Sequence, residues 1–187
     1  MAVQTRNLVN GVDVDQLVET VGAIQNNPDL ARFQFRAEST WKGGGRSATQ
    51  IQGFYGAGQE DSSRTEPFVL EGDEPPVLLG ENAGPNAVEA VLHALASCLS
   101  VGVAYNAAAQ GIEIEELTFE MEGNLDLHGF LGLSDTVRPG YEGIQVRCHI
   151  KSSASPEKLE ELIAYVKRTS PVLDIVRNPV PVDVHLN

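Results

Sequence analysis

The sequence predicts an α+β fold, with antiparallel sheet packed against helices around one core. Two observations carry this expectation. Segments that alternate apolar and polar residues come in blocks, and stretches of helical three-and-four spacing separate the blocks instead of following every strand. Read along the chain, the order is helix, strands, long helix, strands, helix, strand.

Asp13 to Ile24 places Val14, Leu17, Val18, Val21 and Ile24 on one helical face, and Asn27-Pro28 stops it. This helix reads as an N-terminal extension, residues 1–29, packed on a main domain of residues 30–187. Phe33, Phe35, Ala37, Ser39 and Trp41 then alternate with polar residues as a half-buried strand does, until Gly43-Gly44-Gly45 breaks the pattern. Ser47 to Tyr55 returns as a second strand and Glu66 to Leu70 as a third, giving an antiparallel meander. Glu71 to Pro85 is a Gly- and Pro-rich loop ending at Asn86, an N-cap with Glu89 as its capping-box partner.

Ala90 to Gln110 carries no charge and forms the long helix. Its length raises a membrane span. His93, Ser97, Ser100, Asn106 and the many alanines assign it instead to a buried core helix. Ile112 to Met121 and Ile144 to Ile150 read as strands joined by a loop over His128 to Gly140. Ser155 caps another helix with Pro156 at its first position and Leu159, Leu162, Ile163 and Val166 as its buried stripe. Ser170-Pro171 ends it, a short helical turn covers Val172 to Val176, and Val180 to Leu186 reads as an edge strand.

At 187 residues the chain suits one well-buried core. A formal net charge of -13 excludes a phosphate-backbone partner, whose affinity comes from clustered Lys and Arg. The acids, among them Asp13, Asp15, Glu60, Asp61, Glu71, Asp73, Glu74, Glu113 and Glu157, read as a solvated surface. Two cysteines, Cys98 and Cys148, make no disulfide framework, and the N-terminus has no apolar signal core, so a cytoplasmic location is expected.

No GxGxxG, P-loop or GxSxG pattern opens a helix, and the four histidines lack metal-ligand spacing among themselves or with the cysteines. Chemistry therefore centres on Cys98. A helix-borne free cysteine is most often a small hydrophobe, and the positions sharing its face, Ala94, Leu95, Val101 and Gly102, are small or apolar. They let another element approach closely and offer no charge. His93 lies five residues away, about 140° around the helix, so it is a core or interface histidine and no partner of the thiol. A nucleophilic thiol needs a cation from elsewhere, and Arg46, just after the glycine run, is the candidate.

The segment Gly84 to Cys98, GPNAVEAVLHALASC, resembles the glycine-proline, acid, apolar-helix, cysteine signature of the OsmC/Ohr family of thiol peroxidases. Trp41 to Arg46, WKGGGR, resembles the strand turn carrying that family's arginine, and Ser170 to Val184 resembles its C-terminal helix-to-strand segment. The resemblance implies an intertwined homodimer, with antiparallel sheets packed around long central cysteine-bearing helices and the sites at the subunit interface. It makes Cys98 the peroxidatic residue and Arg46 its activator. Two departures stand out. The family's second cysteine belongs where this chain has Ser170, and Cys148, on a strand with Ile144, Val146 and Ile150, packs inward and does not replace it. Where the peroxidase branch has a glutamate, this chain has Val88; Glu89 is offset by one, about 180° from Cys98, and capping is a sufficient role for it beside a catalytic one.

The expected function is thiol-dependent reduction of organic hydroperoxides in an oxidative stress response. Cys98 is the single peroxidatic cysteine, Arg46 its activator and Glu89 a third catalytic candidate. No cofactor or metal is expected beyond an external thiol or dithiol reductant. The expected partners are a second copy of the chain and an organic hydroperoxide or other apolar small molecule, with no nucleic acid and no membrane. The alternative is a non-catalytic binding protein for an apolar small molecule at the dimer interface, with the helix of Asp13 to Ile24 covering the pocket.

Overall fold

Asn10-Gly11 makes a tight turn that the hydrophobic pattern alone did not reveal. Strands β1 (Leu8–Val9) and β2 (Val12–Asp13) pair antiparallel around it. Both central residues have positive φ, +52° and +76°, as the two-residue hairpin turn that matches strand twist requires. The Asn10 amide also donates to the Ile112 carbonyl at 2.9 Å and accepts from the Ile114 N–H at 2.8 Å, fastening the hairpin to a later strand. The structure, a computed structural model, describes residues 6–186. The chain divides into two compact units, the segment up to Val14 together with Val91 onward, and Asp15–Ala90.

In the Asp15–Ala90 unit, α1 (Val14–Asn26) has the expected stripe. None of its residues is buried, and Val18 and Val21 are exposed. The first expected strand is two pieces, β3 (Gln34–Phe35) and β4 (Glu38–Gly43), because they serve different sheets. One antiparallel sheet runs β4, β5 (Arg46–Ile51), β8 (Phe68–Gly72); the other runs β3, β6 (Phe54–Gly56), β7 (Gln59–Asp61). Phe33 stacks on Phe35 and Phe54 at centroid separations of 5.9 and 6.2 Å, Phe35 and Phe54 meet tilted at 5.6 Å, and the Phe33 ring lies where a Cβ on Gly56 would stand. Trp41, expected half-buried, is exposed and donates its indole N–H to the Gly44 carbonyl across the turn.

The unit that continues from Val91 is built on α2 (Ala87–Ala109). β9 (Ile114–Asn124) and β10 (Gly143–Ser152) form a long antiparallel hairpin, and α3 (Leu127–Phe130) lies in the loop between them. α4 (Pro156–Thr169) and α5 (Pro171–Arg177) follow, with Ser155 capping α4 as expected. Leu95, Leu99, Val103 and Ala107, one per turn of α2, meet Leu162 and Val166 of α4 in the core. By length and composition α2 is apolar enough to cross a membrane. It is a core helix on one side only. Val91, Val101 and Tyr105 on its other faces are exposed in the single chain, so the expected buried core helix is buried along one face.

The last expected strand does not form. Val180 to Leu186 pairs with no strand among the described residues, and Val182, Val184 and Leu186 are exposed. Pro179 and Pro181 remove ladder donors, and a strand without a neighbour has nothing to satisfy its backbone.

A candidate thiol site on helix α2

Cys98 stands between the buried residues Leu95 and Leu99 and is itself half-buried. One turn further on, a Cβ at Gly102 would lie 2.9 Å from Val166 Cγ1. The glycine therefore lets α4 pass close over α2, the role its small neighbours suggested. This approach delivers the end of α4 to the thiol.

Ser170 occupies that end. Its backbone N–H bonds the Val166 carbonyl at 2.9 Å and closes α4, while its hydroxyl oxygen accepts the Leu173 N–H at 3.3 Å and caps α5. With Pro171 at the first position of α5, the junction is fixed from both sides. Ser170 is 6% exposed, and its Oγ lies 3.2 Å from Cys98 Sγ. Thiol and hydroxyl share a cleft of about 490 Å³ whose walls include Val101, Tyr105, Val166 and Pro171. No Asp, Glu, Lys, Arg or His lines it among the described residues.

Arg46 belongs to the other compact unit. The glycine run shapes its position. Gly43 and Gly44 have φ of +104° and +56°, and at Gly45 a Cβ would come within 3.2 Å of Asp73 Oδ1. Asp73 is 2% exposed, a correction to its reading as a surface acid. Its carboxylate accepts N–H groups from Glu74 at 2.8 Å, Glu81 at 2.9 Å and Ala83 at 3.0 Å. Those bonds, that from Ala83 foremost, hold the carboxyl below the usual aspartate range, and the Arg46 charge adds to them. Arg46 itself is partly exposed, with Nη1 3.9 Å from Glu81 Oε2.

Glu89 makes the expected capping box. Its Oε2 accepts the Asn86 N–H at 2.9 Å, and the Asn86 side-chain oxygen accepts the Glu89 N–H at 2.9 Å. Within its unit the structure thus joins Cys98 with Ser170, while Glu89 caps the start of α2 and Arg46 packs beside Asp73 and Glu81 in the other unit. His93 is exposed, not a core histidine. Sequence reasoning noticed Ser170 as an absent cysteine but missed its hydroxyl as a contact; the Ser-Pro signature of a helix start was the available signal. Cys148, on β10 opposite Phe119, is half-buried beside Ile150, Leu159 and Ile163, and burial pushes its thiol up.

Fold and site together define a class: an α+β protein that presents one helix-borne thiol in an apolar cleft, with a serine hydroxyl at hydrogen-bonding distance from the sulfur. The model of the family described as OsmC-like protein matches residues 80–185. The chain belongs to that family. Among solved structures it is similar to an OsmC-like protein from Mycoplasma pneumoniae, at 18% identity and a TM-score of 0.57 over 78% of this chain and 89% of the other. It is similar also to an OsmC-like protein of unknown function from Vibrio cholerae, at 14% identity and 0.57 over 75% and 92%. An organic hydroperoxide resistance protein OsmC from Legionella pneumophila matches at 19% and 0.53 over 77% and 89%. At these identities the likeness establishes the α+β fold of antiparallel sheets with a long helix. Comparison with curated protein sequences gives no significant match.

Proposed function

We propose that this chain reduces organic hydroperoxides with Cys98 as its single peroxidatic cysteine. The observation that carries the reading is the half-buried Cys98 sulfur facing an apolar cleft large enough for an alkyl chain. The thiolate attacks the distal peroxide oxygen, forming an S–O bond as the O–O bond breaks. The sulfur is oxidised to sulfenic acid and the peroxide is reduced to an alcohol, whose oxygen takes up a proton. An external thiol then displaces hydroxide, which leaves as water, and forms a mixed disulfide; a second thiol releases Cys98 and departs as an external disulfide. Ser170 cannot form a disulfide and Cys148 lies in a different cleft, so in this reading both thiols come from outside the chain.

In this reading Arg46 stabilises the thiolate and the developing alkoxide in the assembled homodimer. Exposed apolar residues on α2, Val101 and Tyr105, and the unpaired Val180 to Leu186 support a second copy as their cover. The names of solved neighbours as organic hydroperoxide resistance proteins support the substrate class. The test is consumption of cumene or tert-butyl hydroperoxide with added dithiol. Cys98→Ser is expected to lose the activity, and a rate equal to wild type would overturn the reading.

Serine in place of a cysteine at position 170 favours one other reading, a binding protein that uses the same apolar cleft without turnover. Native Cys98 inert to hydroperoxide, together with a co-purified apolar ligand, would select it.

A further inference from the structure

The replacement at position 170 does more than remove a thiol. Ser170 is almost fully buried, and its oxygen already accepts the Leu173 N–H. A hydroxyl has one proton to donate, and the Cys98 sulfur at 3.2 Å is its side-chain partner. While Cys98 is a neutral thiol, either group can be the donor. Once the sulfur is a thiolate it can only accept, so the Ser170 proton must point at it. The site therefore contains a hydrogen bond that strengthens when the nucleophile forms and that costs no backbone movement, since two helix ends hold Ser170 in place.

From this geometry we infer that Ser170 is a working residue of the Cys98 site: its hydroxyl donates to the Cys98 thiolate and raises the fraction of nucleophile at neutral pH. The cleft makes this bond count, because Ser97, Tyr105, Asn106, Thr169 and the apolar wall supply no charge to the sulfur. Asn106 spends an amide proton on the Gly102 carbonyl at 2.8 Å. Tyr105 is the one titratable side chain in the lining besides Cys98, and Arg46, the activator of the proposed reaction, belongs to the other compact unit. A cysteine at position 170 would resolve the sulfenic acid; the serine instead favours formation of the thiolate and leaves resolution to an outside thiol. The catalytic meaning of the bond rests on the peroxidase reading, but the bond itself does not.

The test is the pH profile of iodoacetamide alkylation of Cys98, read by mass spectrometry in a Cys148→Ser background so that one thiol reports. Removing a hydrogen bond to an ionised sulfur in S170A is expected to slow alkylation at neutral pH about tenfold and to move the profile up by about one pH unit. S170T, which keeps the hydroxyl, is expected to retain the wild-type profile. Because Ser170 caps α5, S170D is the second variant: it keeps a cap acceptor but has no proton to donate at neutral pH, and it is expected to alkylate no faster than S170A. Folded S170A or S170D with the wild-type profile would overturn the inference. Alkylation needs no peroxide turnover, so a Ser170-dependent profile in a protein that reduces no hydroperoxide would uphold this bond while sinking the peroxidase reading.

Discussion

Cys98 and Cys148 both line clefts walled by α4, yet their surroundings differ: the Cys148 cleft also takes in Glu160 and Lys167, while the Cys98 cleft holds a hydroxyl against the sulfur. Cys148 sits beside Ile150, Leu159 and Ile163 toward the start of α4, and burial alone acts on it, against the thiolate. Cys98 sits at the other end of the same helix, where the α4–α5 junction brings a hydroxyl to 3.2 Å. Comparable concealment thus gives a packing thiol in one place and a hydrogen-bonded one in the other. A helix end, with its capping side chain and its break in direction, separates them. Depth alone does not separate the two thiols; the neighbour supplied by the next element does.

The sharpest way to break the contrast is to remove each sulfur in turn. Cys98→Ser should lower hydroperoxide reduction at least about a thousandfold, whereas Cys148→Ser should stay within about twofold of wild type, as steady-state kinetics would show. Similar losses in both would erase the distinction. Next in size, Arg46→Ala should lower kcat/KM by about ten- to a hundredfold, with Arg46→Lys recovering part of it, because charge without the planar fork is only half the role.

Exchanging the hydroxyl for a thiol sharpens the comparison differently. S170C places a second sulfur at the α4–α5 junction, and one equivalent of hydroperoxide should then yield a Cys98-linked internal disulfide, seen as a loss of about 2 Da under non-reducing conditions. Cys148 should yield none. A smaller effect is expected from Gly102→Ala, whose Cβ would press on Val166. Overpacking should outweigh the gain in helix propensity, costing roughly 1 kcal/mol of stability, read as a thermal midpoint lowered by about 2–4 °C, and weakening the dependence of Cys98 alkylation on Ser170.

The smallest effect concerns pH. Because the Cys148 thiol is raised by burial, the folded state holds its proton more tightly than the unfolded one. Its contribution to stability is present below the ordinary thiol range and is lost as pH rises through the raised value. Urea melts at alkaline pH should therefore show a shallower decline for Cys148→Ala than for wild type.

Much of this fold was legible where local rules act alone. The Asn86–Glu89 capping box, the Ser155 cap with Pro156 and the β9–β10 alternation each follow from a few adjacent residues, and each appears as expected. Failures came where a distant element decides. Val180 to Leu186 alternates as a strand should, but alternation says nothing of whether a neighbour exists. Asp73 looked like its surface neighbours, since the three N–H groups that hold it include those of Glu81 and Ala83, which a composition count does not place. Trp41 fitted an apolar strand face that the sheet leaves uncovered in the single chain.

The site divides the same way. Cys98 announced itself by its helix, and Ser170 by the cysteine it replaces. What the sequence did not show is that the replacement stays in contact with the sulfur. That contact depends on Gly102 admitting Val166 and on the chain turning at Pro171, two conditions set by packing between helices.

The central claim is that Cys98 is oxidised by hydroperoxide and waits for an outside thiol. Intact-protein mass spectrometry after one equivalent of cumene hydroperoxide, with dimedone as a trap and peptide mapping to locate it, tests this directly. The account predicts a gain of about 16 Da that dimedone captures on Cys98 alone and that added dithiol reverses. A Cys98–Cys148 disulfide, a dimedone adduct on Cys148, or an unchanged mass would contradict it.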